Sequence, residues 1–220
     1  MRHPADDLLL AYSAGALSGA EDLLVASHLS MCPRCERQSE LLDAVGGAWL
    51  EPAPVSPRRA SEGDDALAAM LSRLDEPVAV PAPPPVLSVE LSALPLPAPL
   101  RDALARAGIT SWQTLLPGFV QQIMLPIPWH GAPVRLTRVR GGFRVPRHTH
   151  KGRELNLVLA GGFQDPSGGY GPGDVADNDA DVVHELAIDP GEDCLILAVN
   201  EFPLVPVGIT AHIAQWLIGF

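Results

Sequence analysis

Two groups of residues in this chain have the types and spacings of metal ligands. The first, His28, Cys32 and Cys35, follows the pattern H-x3-C-x2-C. If a helix reaches Cys32, His28 and Cys32 stand one turn apart on the same face. Cys35 then opens the following helix, so three ligands pinch a helix–helix corner. A helix N-terminus stabilises thiolates, which aids deprotonation and zinc binding. Zinc takes tetrahedral nitrogen and sulfur ligation, so a fourth ligand is expected. His3 is the candidate, because a first helix could fold back on this corner. The competing reading is a redox dithiol, or two cysteines idle in a core. Cys32 and Cys35 are too close to staple a fold, and the total of three cysteines is odd. In a reducing compartment that usage favours metal or redox chemistry over a structural disulfide.

The second group is more specific. Gly142-x5-His148-x-His150-x3-Glu154-x6-Gly161 carries two histidines that alternate onto one side of a strand. Lys151-Gly152-Arg153 can turn the chain, so that Glu154 re-enters on the adjacent strand and meets both imidazoles. This pattern resembles the first motif of the cupin superfamily at every defined position. His184 sits where that superfamily's second motif would supply a fourth ligand. The second motif is degraded: Asp179, Asp181 and Ile188 occupy the places of its Pro, Gly and Asn, while the Gly173-Asp174 turn survives. The competing reading of His184 is a hydrogen-bonded histidine on a strand. Three histidines and a glutamate suit zinc, manganese, iron or nickel alike.

The elements that must hold these ligands divide the chain. Four helices are expected first: Asp6 to Gly15; a helix opened by the capping box Ser18-Gly-Ala-Glu21 and running to about Met31; one from Pro33 to about Trp49; and one capped by Ser61. Leu67, Met70, Leu71 and Leu74 form an apolar stripe on the fourth, read as core by default and otherwise as a partner-binding face. From Pro77 to Pro99 repeated prolines remove backbone donors and predict a semi-extended spacer. A helical lead-in, Leu100–Ala107, and a second short segment near Trp112–Leu116 follow. Strands are expected at Val134–Arg140, Phe143–Pro146, Leu155–Leu159, Val182–Ala187 and Leu195–Val199. Turns such as DPSGGYGPGD at 165–174 separate short strands, as in an antiparallel sandwich or barrel. The closing ITAHIAQWLIGF fits an amphipathic helix or an edge strand. The fold class is therefore α+β in two domains: a helical metal-binding domain (1–76), a Pro-rich linker (77–99) and an all-β cupin barrel, or jelly roll (100–220).

Composition bounds the function. The chain has 220 residues, 47% of them hydrophobic, which leaves ample material for buried cores. No stretch approaches the roughly 20 apolar residues that span a bilayer. The opening MRHPADD places acids where a signal peptide has its apolar run, so a cytoplasmic protein is expected. Fifteen basic against 26 acidic residues give a formal charge of −11, which repels a phosphate backbone and argues against nucleic acid. A basic protein partner fits better. Cys194, in EDCLILAV, reads as a small core hydrophobe, with a reactive thiol as the rival. His130 and His212 have no partners at ligand spacing and read as structural or solvated.

The combination of His-x3-Cys-x2-Cys, a Pro-rich linker and a cupin resembles the ChrR family of zinc-binding anti-sigma factors. The opening HPADDLLLAYSAGAL is similar to that family's N-terminal segment, and this makes His3 the matching fourth zinc ligand. The resemblance spans nearly the whole chain. It implies that residues 1–76 wrap an extracytoplasmic-function (group IV) sigma factor and block its access to core RNA polymerase. Zinc on His3, His28, Cys32 and Cys35 would maintain the helical arrangement. His148, His150, Glu154 and His184 would hold Zn2+ or another divalent metal such as Mn2+ or Fe2+. The family's cupin is associated with sensing singlet oxygen or related oxidants, after which the sigma factor is released. The rival function is a metal-dependent cupin enzyme, a dioxygenase or isomerase, for which Asn156 and Gln164 are the best polar candidates. Walker-type loops, dinucleotide fingerprints and nucleophile–base–acid sets are absent, so the expectation is a regulator and not an enzyme.

Overall fold

The computed structural model describes residues 1–51, 60–74, 76, 86–129, 132–200 and 205–206. His130, His212 and the segment 209–220 lie outside the described residues, as do 77–85 of the expected spacer. Among these described residues six helices come first: α1 (Asp6–Ser13), α2 (Gly19–Leu29), α3 (Pro33–Leu50), α4 (Ala60–Leu71), α5 (Val89–Ser92) and α6 (Ala98–Arg106). Eleven strands follow: β1 (Gln113–Leu116), β2 (Val120–Trp129), β3 (Ala132–Val139), β4 (Arg144–Thr149), β5 (Glu154–Ala160), β6 (Phe163–Asp165), β7 (Gly168–Tyr170), β8 (Val175–Asn178), β9 (Val183–Ile188), β10 (Cys194–Asn200) and β11 (Val205–Pro206).

Local chemistry explains the helix limits. Ser18 accepts from the Glu21 amide while Glu21 accepts from the Ser18 amide, closing the expected capping box at the start of α2. Pro33 occupies the first turn of α3, where its missing N–H costs nothing. Helix α2 stops at Leu29, before the cysteine. Tight turns then carry the chain on, with Met31 N–H donating to His28 O and Cys32 N–H to Leu29 O. Cys32 is thus the extended N-cap of α3 and not part of α2.

The strands form two antiparallel sheets, ordered β1-β2-β3-β10-β5-β8 and β11-β4-β9-β6-β7. They face each other as a jelly roll around Val158, Phe163, Ile188 and Ile196. The larger sheet is covered on its outer face too. Leu136, Leu155, Leu157 and Leu197 share one core with Leu23 and Leu24 of α2 and with Leu100 and Leu104 of α6. Each such leucine contributes about 2 kcal/mol on burial. This double burial is why β5 and β10 read as the near-continuous apolar runs ELNLVLA and CLILAVN.

Four elements differ from the sequence expectation. Strand β2 carries Pro126 and Pro128, which argue against a strand. They are tolerated because β1 pairs only with Val120–Gln122, so that beyond this point β2 is an edge. The segment near Trp112 is the start of that edge pairing, a strand. The spacer region contains the helical turn α5, capped by Ser88, and Leu91 and Leu96 are buried in the shared core. The stripe on α4 is not core: Leu67, Met70, Leu71 and Leu74 are all exposed.

Two candidate metal centres

The first centre forms where α1, α2 and α3 meet. His3 precedes α1, His28 lies in the last turn of α2, Cys32 caps α3 and Cys35 sits in its first turn. His3 Nδ1 lies 3.5 Å from Cys32 Sγ and 3.2 Å from Cys35 Sγ. One donor atom from each of the four residues lies within 4.8 Å of every other. Leu9 and Val25 seal the corner with the two buried cysteines. His28 is fully buried, and its Nδ1 donates to the carbonyl oxygen of Gly173 at 2.9 Å. That bond fixes the tautomer and leaves Nε2 unprotonated, buried and without a partner among the described residues. A buried orphan lone pair beside two thiols fits a thiophilic cation. Burial lowers the His28 pKa to about 4 despite the Gly173 bond. Burial and the neighbouring Cys32 push the Cys35 thiol up to about 11.

The second centre lies inside the barrel. His148 is on β4 and pairs across the ladder with His184 of β9, while Glu154 opens β5. Lys151-Gly152-Arg153 makes the expected turn between His150 and Glu154. All four side chains are buried. His150 Nε2 is 3.2 Å from His184 Nε2 and 3.0 Å from Glu154 Oε2, and His184 Nε2 is 3.4 Å from the same oxygen. His148 donates from Nδ1 to Pro146 O at 2.8 Å, leaving its Nε2 buried and unpartnered. The four donors again lie within 4.8 Å of one another. Two imidazole nitrogens at hydrogen-bond distance share at most one proton, whereas a cation satisfies both lone pairs. Burial would raise the Glu154 carboxyl, but hydrogen bonds to His150 and His184 more than offset it and hold it well below the usual range. Burial lowers the His148 pKa; at His184 burial is outweighed by Glu154 and Asp165 together, which raise it.

Several supporting groups escaped sequence reasoning. Asn200 donates to Glu154 Oε1 from β10. Asp165, at the end of β6, places a carboxylate oxygen 3.5 Å from His184 Nδ1. Neither stands at a recognisable spacing from a ligand, so no sequence signal marks them. Gly173 acts through its backbone carbonyl, which the Gly173-Asp174 turn hints at only as a bend. Of the polar candidates for catalysis, Asn156 is buried on the barrel wall, whereas Gln164 bonds Asp189 at an exposed edge. Cys194 is fully buried in the inner core, as expected of a small hydrophobe.

Comparison with known proteins finds relatives along most of the chain. The sequence profile of the ChrR cupin-like domain matches residues 101–203. The anti-sigma-E factor ChrR of Cereibacter sphaeroides is 40% identical over 203 residues, covering 92% of this chain and 90% of that protein. The crystal structure of Rhodobacter sphaeroides SigE in complex with the anti-sigma ChrR superposes with a TM-score of 0.69. It is 39% identical and covers 91% of this chain and 98% of that one. Among the described residues no helix is long and apolar enough to cross a membrane.

Proposed function

We propose, because this chain belongs to the ChrR family of anti-sigma factors, that it binds and inhibits an extracytoplasmic-function sigma factor in the cytoplasm. One observation supports this beyond kinship. Helix α3 exposes Leu41, Val45 and Trp49 at four-residue spacing, and α4 with the turn that follows it exposes Leu67, Met70, Leu71 and Leu74 at i, i+3, i+4, i+7. Trp49 is 78% and Met70 72% accessible, in helices that turn apolar stripes to solvent. Apolar surface of that extent marks a site for a protein partner. A sigma factor seated on both stripes would lose the surface it needs for polymerase.

The proposed metals have separate duties. Zinc on His3, His28, Cys32 and Cys35 would tie three helices together and supply folding free energy, so that α3 can expose its stripe without collapsing. A divalent ion on His148, His150, Glu154 and His184 would make the barrel a sensor of singlet oxygen or a related oxidant. Release of the sigma factor is then a population shift: the signal need only favour a conformation that binds it poorly. Kinship with regulators sets aside the cupin-enzyme reading.

The test is metal content and partner capture together. Purified chain should carry two metals and retain a sigma factor near stoichiometry. A His148→Ala, Glu154→Ala double variant should carry one metal and still hold the partner. A single metal in the wild type, or no captured sigma factor in either sample, overturns the reading.

A further inference from the structure

A cavity of about 280 Å³ opens beside His148 and Glu154 inside the barrel, near the small end of the range for ligand pockets. Its walls are predominantly apolar, with Val139, Phe143, Leu186 and Ile196 among them. Against that lining stands Arg135 of β3, half-buried. Strand alternation puts it there. Val134 and Leu136 on either side face the helix-covered core, so Arg135, Thr137 and Val139 face the barrel interior. Among the described residues its guanidinium has no carboxylate at ion-pair distance; the arginine–carboxylate pairs there use Arg73, Arg138, Arg144 and Arg153. Burial lowers its pKa, an effect that the charge of Glu154 partly offsets. An arginine nonetheless stays charged in a protein.

A largely apolar wall with one half-buried guanidinium that lacks a carboxylate at ion-pair distance favours an anion that arrives to share it. The guanidinium fork matches a carboxylate in a bidentate manner. With Glu154 already on the same wall, a singly charged head is better accommodated than a dianionic phosphate. We propose that this cavity binds a small monocarboxylate with an apolar tail, its head on Arg135 and its tail against Val139, Phe143, Leu186 and Ile196. The inference stands on the barrel alone and does not depend on the anti-sigma reading.

The probe is sodium octanoate, titrated calorimetrically into the full metal-replete chain, with octanol and octyl phosphate as comparisons. Saturable one-to-one binding of octanoate is expected, with octanol and octyl phosphate each weaker by at least tenfold. Arg135→Gln should weaken octanoate by more than tenfold at unchanged metal content, and Arg135→Lys should restore part of the loss. Ala198→Leu narrows the cavity without altering charge and should weaken octanoate and octanol together, which keeps the test open if Arg135→Gln fails to fold. No saturable octanoate binding, equal binding of octanol or octyl phosphate, or octanoate binding indifferent to Arg135→Gln and Ala198→Leu would each overturn the proposal.

Discussion

The imidazole of His28 hangs from the barrel: its Nδ1 donates to the carbonyl oxygen of Gly173 at 2.9 Å, across 145 positions of sequence. One nitrogen of a proposed zinc ligand is therefore held by the turn between β7 and β8. Movement of that turn must move the ligand or break the bond. His28→Ala removes the ligand and the tether at once. It should lower zinc affinity at the first centre at least tenfold while leaving the barrel metal in place. Competition with a chromophoric chelator measures both; loss of both metals together would mean that the variant acts through global unfolding.

A second strap runs beside the first. Arg2 donates from Nη1 to the Tyr170 hydroxyl and from Nη2 to Ser167 O, each at 2.7 Å, and its guanidinium lies 4.1 Å from the Tyr170 ring centroid. Its own carbonyl accepts from Val175 N–H at 3.1 Å. His3 follows directly in sequence. Arg2→Ala keeps the backbone bond and deletes the side-chain ones, with an expected stability cost of about 1–2 kcal/mol. Zinc affinity should fall by a smaller factor than in His28→Ala. Amide exchange at Val175 should quicken in the variant, and an unchanged rate would show that the strap does not depend on the guanidinium.

The burial of His28 also sets a pH dependence. Its pKa is about 4 in the folded chain against 6.5 for a free side chain. Between those values the unfolded chain binds more protons, so stability rises with pH across the window. The His28 contribution is complete above about pH 6.5 and is lost as pH falls toward 4, on the order of 3 kcal/mol in all. A metal on Nε2 shifts the balance in the same direction, since protons compete for the same lone pair. Urea midpoints recorded between pH 7.5 and 4.5 should drop more steeply for the wild type than for His28→Gln. Parallel curves would assign the acid sensitivity to the barrel histidines instead.

Side-chain spacing carried the centres, and packing between distant segments carried the rest. Strand alternation and a three-residue turn are local geometry and bring His148, His150 and Glu154 together, and a helix corner does the same for His28, Cys32 and Cys35, whereas His3 and His184 join the two clusters only through tertiary contact. The outer face of the large sheet was not legible in this way. The apolar runs of β5 and β10 announce burial on both sides without saying what covers them, and α2 and α6 do so only through tertiary contact. Strand β2 was hidden by Pro126 and Pro128, whose tolerance depends on the shortness of β1. Asp165 and Asn200 reach the barrel ligands through sheet register, which the spacing of a single sequence does not reveal.

Cys194 should be chemically silent. Burial, with Asp189 and Glu192 nearby, raises its thiol to about 12, so at pH 8 the thiolate fraction is on the order of one in ten thousand. Packing adds to this, because the residue is fully buried against the inner core. Iodoacetamide at pH 8 should leave it unmodified in the native chain and label it fully in urea, as read by peptide mass. Cys194→Ala should retain the proposed release of the sigma factor by oxidant, and its loss would move the sensing chemistry to this thiol.

The apolar stripes on α3 and α4 give the sharpest division between folding and partner binding. Trp49 and Met70 project into solvent, so a charge there leaves no buried cavity and costs the fold within about 0.5 kcal/mol. In a complex the same charge would be desolvated against apolar surface, which is costly without a counter-ion. Trp49→Glu and Met70→Glu should each weaken capture of the sigma factor at least tenfold, with more than additive loss only if both helices grip one contiguous surface. Metal content and thermal midpoint should stay at wild-type values. Undiminished capture by the double variant would place the partner on another face of the molecule.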